Sequence, residues 1–572
     1  MLRIISPFIN HLPMRHTCFV MLFSCALGLG AIASRALAQV QSDCQTLNWS
    51  VDDLAKFKQN QFPSDFYQPY AGKTIRHLRI APGLVFDATN PKENNWLYRS
   101  LDALHINTKP QVIEKQLLFR QGEALDANKV LESARILRSR GYLASAYILP
   151  EQVCGDQVDL VVLTRDVWST EPDTSISRNG GQNKSGFGLS EGNLLGYGNE
   201  LAVGYEKVGE RSAVNYDFTS PHIFNSHYYA HLSYADKSDG IDKVVDLAKP
   251  FYSLQTPYGY GINTQTITQA EILRYGDVKR SEYLHSRERY ELFAGRALSV
   301  TDEATVRLLG GYAMEEDEYD ATALTRTPLP AYEMNRYPWL ALRRIENRFA
   351  AFKNLQQIQR VEDLLLGSDL YVRLGYASES LHNDQDALLL KAQYADVVLS
   401  DEHNLLQTKT NFSLLDYAGQ AERMALNQRL TYNHFLTDRS RWYLDAQWDI
   451  GKRLLPHDEF TLGGFDGLRG YPFEFQRGQQ RYLLTTEYRY FSDWHVFNLL
   501  RVGGVVFAET GKAWDSQLQS GQETLSDVGL GLRISSSKAR IGSVVHIDIA
   551  MPTASRQGID DYQVVVSTQQ TF

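Results

Sequence analysis

The most specific chemistry in this sequence is an arginine on a glycine-rich turn together with a carboxylate that it could bind. Alternation along the strand near position 509 places Glu509 on one face with Phe507 and Gly511. If Arg469 reaches this face, it meets a carboxylate for a charge-assisted hydrogen bond and a ring for a cation–π contact. Glu487, on an earlier strand, is a second carboxylate that could serve as the partner.

A serine pattern in the chain resembles that of hydrolases. The segment Gly188-Leu189-Ser190-Glu191-Gly192 matches G-x-S-x-G, in which the serine needs a strand-to-helix turn and a histidine partner. No helical pattern follows this segment, so we interpret it as a strand. We therefore expect no catalytic residue, and we expect that the protein is not an enzyme.

Three histidines lie close together in the sequence and suggest a metal site. A zinc site built on His222, His227 and His231 would need further sulfur or carboxylate ligands at a fixed geometry. The intervening Tyr228 and Tyr229 instead favour the end of a strand at a membrane interface, where amphipathic rings are common. We expect neither a metal nor any other cofactor.

Length, charge and hydropathy exclude several classes of protein. A chain of 572 residues should hold two or more domains. The chain has 58 Lys and Arg and 67 Asp and Glu, so acidic residues are in excess, whereas a nucleic-acid-binding protein usually has an excess of basic residues. A mean hydropathy of −0.34 argues against a helical membrane protein. The 40 glycines and 32 tyrosines favour many strands, tight turns and an aromatic belt.

The N-terminus has the features of a secretory signal peptide. Residues Met1–Ala38 contain basic residues, an apolar stretch and the A-x-A site Ala36-Leu37-Ala38. Cleavage there leaves Cys44 and Cys154 as the cysteines of the exported chain. They could form a disulfide in an oxidising compartment or stay as two thiols, and the sequence leaves both alternatives open.

Two regions follow the signal peptide and an N-terminal segment, residues 39–71, which has one short helical pattern (Val51–Lys58). The first region, residues 72–167, reads as a small α/β domain with a polar stretch before its first helix. Its predicted elements are a strand at Thr74–Ile80, a helix at Pro110–Phe119, a helix capped by Asp126, and strands at Tyr142–Leu149 and Val158–Thr164.

The second region, residues 172–572, consists of alternating segments separated by turn residues. In Leu483–Phe491, for example, apolar and aromatic residues share one face and polar residues share the other. Export, tyrosine content and length favour a transmembrane antiparallel β-barrel over a soluble sandwich. At about 25 residues for each strand and its turn, the region would hold about 16 strands. The acidic stretch Glu315–Glu318 is then interpreted as an external loop.

The chain ends in a pattern typical of the last strand of an outer-membrane barrel. Tyr562, Val564 and Val566 alternate with other residues on one face, and the strand closes on the terminal Phe572.

Four ordered motifs resemble the BamA/TamA-type bacterial surface antigen superfamily. The loop motif centred on Leu468-Arg469-Gly470-Tyr471 resembles the superfamily's inward-folding R-G-F/Y loop, and residues 504–511 resemble its G-x-x-F-x-D-x-G strand, with Glu509 in the place of Asp. Residues 192–199 and 220–224 resemble the turns after its second and fourth strands. The α/β domain is similar to a single POTRA domain.

This resemblance implies a 16-stranded outer-membrane barrel of a Gram-negative cell, with the POTRA-like domain in the periplasm. It implies insertion, assembly or translocation of an extended client protein without ATP, with outer-membrane lipid and periplasmic or assembly-complex proteins as further partners. A weakly paired seam between the first and last strands would admit client strands. The single POTRA-like domain leaves two alternatives open, a two-partner-secretion-type transporter of one exported protein and a structural or passive barrel.

Overall fold

The computed structural model describes residues 44–47, 49, 65–86, 91, 93–223, 226–276, 278–417, 420–464, 467–515, 523–539, 543–554 and 558–570. The signal peptide, the helical pattern at Val51–Lys58 and the terminal Phe572 lie outside these residues. In the described part of the chain, no helix has the length and apolar character needed to cross a bilayer.

The N-terminal module is a four-stranded sheet with helices packed against it. The sheet order is β1-β3-β4-β2, in which β2 and β4 are parallel and the other pairs are antiparallel. The elements are β1 (Cys44–Thr46), β2 (Thr74–Gly83), α1 (Trp96–Leu104), α2 (Pro110–Glu114), α3 (Ala127–Arg138), β3 (Leu143–Cys154) and β4 (Gln157–Asp166).

Helix α3 shows how the sequence produces this module. The Asp126 carboxylate accepts hydrogen bonds from the backbone N–H groups of Asn128 and Lys129, which caps the helix. Val130, Ala134 and Leu137, spaced at helical period, are buried in the module core. Helix α2 is shorter than the predicted Pro110–Phe119, since it ends at Glu114.

Helix α1 lies in the stretch that the sequence analysis interpreted as polar, and that interpretation was wrong. The polar residues near position 95 start the helix, because the Asn95 side chain accepts a hydrogen bond from the Tyr98 N–H. Tyr98 then packs into a small cluster with Val85 and Phe86.

Strand β1 closes one edge of the module sheet. It pairs with the end of β3, and Cys44 lies opposite Cys154 in this register. A disulfide joins these two cysteines. The Trp49 indole N–H extends the contact by donating to the Pro150 carbonyl, 2.8 Å away.

Within the described residues, the second region forms a closed barrel of twenty strands, each hydrogen-bonded to its neighbours. The expected mainly β fold with a large antiparallel sheet is therefore confirmed. The strands are β5 (Thr170–Asn179), β6 (Gln182–Glu191), β7 (Glu200–Val208), β8 (Arg211–Ser220), β9 (Tyr229–Lys237), β10 (Gly240–Lys249), β11 (Tyr258–Tyr275), β12 (Val278–Val300), β13 (Ala304–Ala321), β14 (Glu333–Glu346), β17 (Asp369–Ala377), β18 (Ala387–Ser400), β19 (Asn404–Tyr417), β20 (Gln420–Thr437), β21 (Ser440–Lys452), β24 (Gln480–Val496), β25 (Leu500–Trp514), β26 (Leu525–Ser536), β27 (Ser543–Pro552) and β28 (Gln563–Gln570).

The prediction of 16 strands was wrong because the early strands are short and their turns are tight. Six strands, β5 to β10, fit between Thr170 and Lys249, far more densely than about 25 residues per strand would allow. The interpretation of Glu315–Glu318 as a loop was also wrong. This acidic stretch lies inside β13, which pairs along its length with β12 and β14.

The side chains of the barrel wall alternate between outside and lumen. On β24 and β25, Tyr490 and Val506 are exposed on the outer face, whereas Glu487 and Glu509 are buried on the inner face. The last strand follows the same rule, since Val564 is exposed and Val565 is buried.

Two segments between barrel strands form small sheets of their own. Hairpin β15–β16 (Phe349–Lys353 and Val361–Leu365) interrupts the connection from β14 to β17. The long loop of residues 453–479 connects β21 to β24 and contains β22 (Phe460–Leu462) paired with β23 (Gln476–Gly478). We call the first segment the lumen hairpin and the second the lumen loop.

The disulfide generates a prediction for the stability of the module. It closes a loop with a sequence separation of 110 residues, for which the chain-entropy model gives about 4–5 kcal/mol at most. We expect a Cys44→Ser, Cys154→Ser variant of the full chain to be cleaved faster by limited proteolysis in the module, with barrel fragments unchanged. Non-reducing peptide mapping of the native chain should yield the linked peptide pair, and full alkylation of both cysteines without reductant would contradict the bond.

Candidate functional site

The module covers one mouth of the barrel, which we call the module end. Its residues contact the strand connections around this mouth. The contacts are Tyr98 Oη to Phe497 O at 2.6 Å, Glu93 to Lys538 at 2.6 Å, Thr108 to Asn193 at 2.9 Å, Glu132 to the Leu254 N–H at 2.6 Å, Asn128 to Asp302 at 2.9 Å and Arg138 to Asp363 at 2.7 Å. The β6–β7, β10–β11, β12–β13, β14–β17, β24–β25 and β26–β27 connections are therefore all held by one domain.

The lumen loop enters the barrel from the opposite end. Its turn is tight, since Gly467 and Leu468 both have a positive φ, of 96° and 61°. Leu468 and Tyr471 are fully buried and pack with Leu483 of β24 and Leu525 of β26. This packing presents the intervening Arg469 to the lumen wall.

The Arg469 guanidinium is bound by carboxylates from three different strands. Its Nη2 donates to Glu509 Oε1 at 2.9 Å and to Glu487 Oε1 at 2.7 Å, and its Nη1 donates to Asp548 Oδ2 at 2.9 Å. The Arg469 backbone N–H also donates to Glu509 Oε2 at 2.9 Å. The partner and the runner-up named from the sequence thus both contact Arg469, and β27 supplies a third.

An aromatic ring completes the wall around this guanidinium. The Arg469 Cζ atom lies 3.5 Å from the centroid of the Phe507 ring, the distance of a cation–π contact. The ring has room because its neighbour on β26 is a glycine. A Cβ added at Gly529 would lie 2.3 Å from the ring, and one added at Gly531 would lie 1.7 Å from Asp548 Oδ1.

Two further arginines balance the carboxylates. Arg489 Nε donates to Glu487 Oε2 at 2.6 Å, and Arg533 Nη1 donates to Asp548 Oδ1 at 2.5 Å. Both carboxylates are thereby shared between two guanidinium groups. Such sharing is what makes buried charges tolerable in a protein interior.

The rest of the motif binds β26, next to these strands. The Gly470 N–H donates to Asp527 Oδ2 at 2.8 Å, and the Tyr471 hydroxyl donates to the Ser526 carbonyl at 2.9 Å. A Cβ at Gly470 would lie 2.9 Å from the Asp527 Cβ, so a glycine is required for this approach. The loop motif therefore contacts four consecutive strands, β24 to β27. Gly511 belongs to the same region, since a Cβ there would lie 3.3 Å from Leu462 of the lumen loop.

The lumen hairpin occupies the barrel interior near the module end. The buried Arg441 of β21 donates to the backbone carbonyls of Asn354 and Leu355 at the hairpin tip. Glu362 holds the same tip by accepting from the N–H groups of residues 355, 356 and 357 at 2.9–3.1 Å. Ile358 is 2% exposed. A cavity of about 440 Å³ remains beside the tip, lined by residues of the hairpin and the wall.

The strand pairing is weakest where the barrel closes. In the described residues, the last strand and the first strand pair at a single position, Val566 opposite Arg178. By contrast, β27 and β28 pair along the whole of Ser543–Ala550. We call the β28–β5 junction the seam. The lumen loop reaches across it, because the Phe473 N–H donates to the Gly180 carbonyl at 2.8 Å.

The turn at residues 192–199 docks onto the module. Gly196 and Gly198 both have positive φ, and added Cβ atoms would lie 2.5 Å from Asn107 O and 2.6 Å from the Tyr142 ring. His222 of the next turn donates from Nε2 to the Tyr197 carbonyl at 2.6 Å. Burial lowers the pKa of His222 to about 4, so this ring is neutral. Phe224, at the end of that second motif, lies outside the described residues.

The other histidines and Ser190 have separate surroundings. The His227 ring stacks on Tyr252 at 3.7 Å, and His231 Nε2 lies 2.9 Å from Asp217 on β8. Among the described residues, no cluster of three or more His, Cys, Asp or Glu is arranged to hold a metal ion. Ser190 lies on β6, and a short 3-10 turn leads from there into β7, not into the helix that a hydrolase serine requires.

We call Arg469 and the charged residues around it the Arg469 cluster; its other members are Glu487, Glu509, Asp548, Asp527, Arg489 and Arg533. The last four of these were not predicted from the sequence. Alternation was the available signal, because it assigns each of them to the lumen face of its strand. The register between strands decides which of these side chains meet the loop, and one sequence does not contain the register.

A comparison with protein families matches the C-terminal part of the chain. Residues 374–572 match the Omp85 superfamily domain. This match agrees, over that part of the chain, with the resemblance to BamA-type surface antigens.

Two bacterial proteins are among the solved structures that are similar to this chain. CdiB from Escherichia coli is 13% identical, over 96% of this chain and 89% of that one, with a TM-score of 0.44. BamA from Haemophilus ducreyi lacking POTRA domains 1–3 is 10% identical, over 87% of this chain and 85% of that one, with a TM-score of 0.39. No curated protein matches the sequence.

The Arg469 cluster predicts a strongly non-additive pair of substitutions. Arg469→Ala leaves Glu509 without an ion-pair partner in the described chain, whereas Glu487 and Asp548 keep Arg489 and Arg533. The loss should destabilise the loop by about 3–5 kcal/mol, as is usual when one partner of a buried ion pair is removed. Glu509→Ala should be milder, because Glu487 and Asp548 still bind the arginine. The double variant should be scarcely worse than Arg469→Ala alone.

The measurement is the temperature at which the folded barrel loses its fast migration in detergent gels, together with proteolysis of the loop. Arg429→Ala is the matched control, since Arg429 pairs with Asp445 on the lumen wall but contacts no residue of the Arg469 cluster in the described chain. Additive losses for Arg469 and Glu509 would contradict the shared cluster.

Proposed function

We propose that this chain, whose residues 374–572 form an Omp85 superfamily domain, inserts or translocates a protein client at the outer membrane of a Gram-negative cell. The seam is the observation that carries the proposal, because the first and last strands pair at one position, Val566 with Arg178. An edge strand in lipid has unsatisfied backbone groups, and it therefore accepts an added strand readily.

In this proposal the module is a POTRA domain in the periplasm, and the module end of the barrel is the periplasmic mouth. A client in extended form would add to an exposed edge of the module sheet through backbone hydrogen bonds. Strand β2 offers such an edge beyond Ile75 in the described chain, because β4 lies on one side of it and, on the other side, residues 122–125 pair only with its start at residues 73–75. The other edge, β3, is partly covered by the disulfide-bound β1.

The lumen loop has a structural role in this mechanism. Its Arg469, Gly470 and Tyr471 hold β24 to β27 together, and its Phe473 reaches the first hairpin at Gly180. The strands beside the seam are thus kept in place while the seam itself stays weakly paired. The loop would allow β28 and β5 to separate without loss of the rest of the barrel.

The two client-handling alternatives are an insertase of barrel proteins and a transporter of one exported protein. An insertase needs the seam to open, because its client leaves sideways into lipid. A secretion transporter needs the lumen to open, because its client passes through it. The weakly paired seam supports the first alternative, and the hairpin held inside the lumen supports the second.

A depletion experiment separates these alternatives. The outer-membrane fraction and the culture medium should be quantified by proteomics before and after depletion of the chain. Loss of barrel proteins from the membrane fraction would identify an insertase, and loss of one protein from the medium would identify a secretion transporter. No change in either fraction would leave the structural barrel as the function and overturn the proposal.

Cross-linking the seam predicts a specific loss of function for an insertase. Arg178→Cys with Val566→Cys places two cysteines opposite each other in the register. Oxidation should reduce the amount of the affected proteins to the depleted level, and a reductant should restore it. The matched control is Ile549→Cys with Val564→Cys, an opposed pair on β27 and β28. Equal activity of both cross-linked variants would exclude the seam as the exit for the client.

The hairpin held inside the lumen disfavours a passive pore and yields a second prediction. Replacement of residues 354–360 by a two-residue Asn-Gly turn removes the hairpin tip that Arg441 holds. Single-channel conductance in planar bilayers should rise well above that of the native chain. Shortening the exposed connection at residues 328–331 serves as the control and should leave conductance unchanged. A large conductance already present in the native chain would support the passive pore instead.

A further inference from the structure

Helix α1 has an apolar face that is exposed on the side away from its packing contacts. Trp96, Leu97 and Leu104 follow each other at helical spacing and are 73%, 47% and 76% exposed, and Ile106 beyond the helix is 52% exposed. Nothing in the part of the chain that the structure describes covers them. We call this set the α1 face.

The opposite side of the helix fixes it to the barrel rim. The Tyr98 ring stacks on Phe86, and its hydroxyl donates to the Phe497 carbonyl in the β24–β25 turn at 2.6 Å. Leu499 of the same turn packs on this cluster. The exposed residues are therefore held by packing and hydrogen bonds and are not part of a loose segment.

The segment that contains α1 runs across the seam at the module end. Near its start, Glu93 pairs with Lys538 of the β26–β27 turn at 2.6 Å. At its end, the Lys109 N–H donates to the Gly196 carbonyl of the β6–β7 turn at 3.0 Å. These two turns lie on either side of the β28–β5 junction in the ring of strands. The α1 face is thus located at the rim, beside the weakest strand pair.

The α1 face is continuous with the outer surface of the barrel. Trp494 near the end of β24 and Phe497 just beyond it are 71% and 81% exposed, and the Phe497 carbonyl is the group that binds Tyr98. Leu195 of the β6–β7 turn is also exposed, and the next residue, Gly196, lies beside Ile106 at the other end of the segment, since an added Cβ there would lie 3.4 Å from Ile106 Cγ2. Tryptophan and other amphipathic rings at a barrel rim mark the interface between lipid and water.

We infer that the α1 face inserts into the phospholipid leaflet at the module end of the barrel, beside the seam. The helix has the composition of an interfacial helix, with Trp and Leu on one side and the exposed Arg99 and Asn94 toward water. A free apolar surface on a soluble domain would otherwise be unfavourable. Since the inference depends on membrane location alone, it can hold or fail whatever client the chain handles.

Fluorescence quenching in lipid tests this inference on the full chain. Leu104→Cys, labelled with an environment-sensitive nitrobenzoxadiazole group, should be studied in nanodiscs of phosphatidylethanolamine and phosphatidylglycerol. Trp494→Cys is the lipid-facing reference. Arg99→Cys is the matched control, because Arg99 is exposed on a different side of the same helix.

We expect doxyl-labelled phospholipid to quench the fluorescence of the label at position 104 as strongly as that of the label at position 494. Iodide in the aqueous phase should quench neither label. The label at position 99 should show the reverse. Leu97→Cys is a second variant on the α1 face, and it should agree with Leu104→Cys if the labelled chains are folded.

Two results would overturn the inference. Quenching by iodide at positions 97 and 104 equal to that at position 99 would place the face in water. Alternatively, iodide could quench the labels at positions 97 and 104 in nanodiscs but not in native outer-membrane vesicles. If doxyl lipid added to those vesicles also fails to quench them, the face is covered by a protein client instead.

Discussion

A guanidinium group inside a barrel must be surrounded by acceptors, and much of this structure follows from how Arg469 meets that requirement. Its carboxylate partners Glu487, Glu509 and Asp548 come from β24, β25 and β27, so the loop position and the register of these strands depend on each other. Loss of one partner leaves buried charge without compensation, which is far less favourable than the native arrangement. The loop and the last strands therefore behave as one unit.

The same logic explains how a barrel with a weak seam stays closed. The strands beside the seam are joined by segments that are not strands of the wall. At one end the lumen loop reaches from the Arg469 cluster to Gly180, and at the other the segment before β3 reaches from Lys538 to Gly196. Backbone pairing along most of the wall is continuous, whereas at the seam it is limited to one position in the described chain. Local opening is favoured where few backbone bonds must break.

The sequence predicted the chemistry of the site better than its architecture. Alternation put Glu509 and Phe507 on one face of their strand, because alternation is a local property, and both residues contact Arg469 in the structure, as does the rival Glu487. Asp548 was missed because its proximity depends on the register across β25, β26 and β27. The strand count was wrong for a related reason. The strands β5 to β10 are joined by tight turns whose length depends on hairpin geometry, and an average number of residues per strand does not represent them. Helix α1 was missed because the polar residues at its start, of which Asn95 is the N-cap, were interpreted as part of a polar stretch, although Leu97, Leu101 and Leu104 recur at helical spacing.

The contacts of the module differ in strength in a way that bears on motion. The disulfide and the apolar core keep the module itself rigid. Two arginines of helix α3 connect the module to the lumen hairpin. Arg138 forms an ion pair with Asp363, and the Arg135 guanidinium lies over the Phe349 ring. The ion pair is bidentate, and both of its side chains are mostly buried. Bidentate arginine–carboxylate pairs are among the stronger ion pairs. A shift of α3 would therefore carry the hairpin with it, whereas the carboxylates around Arg469 are bound by other elements and would keep their register.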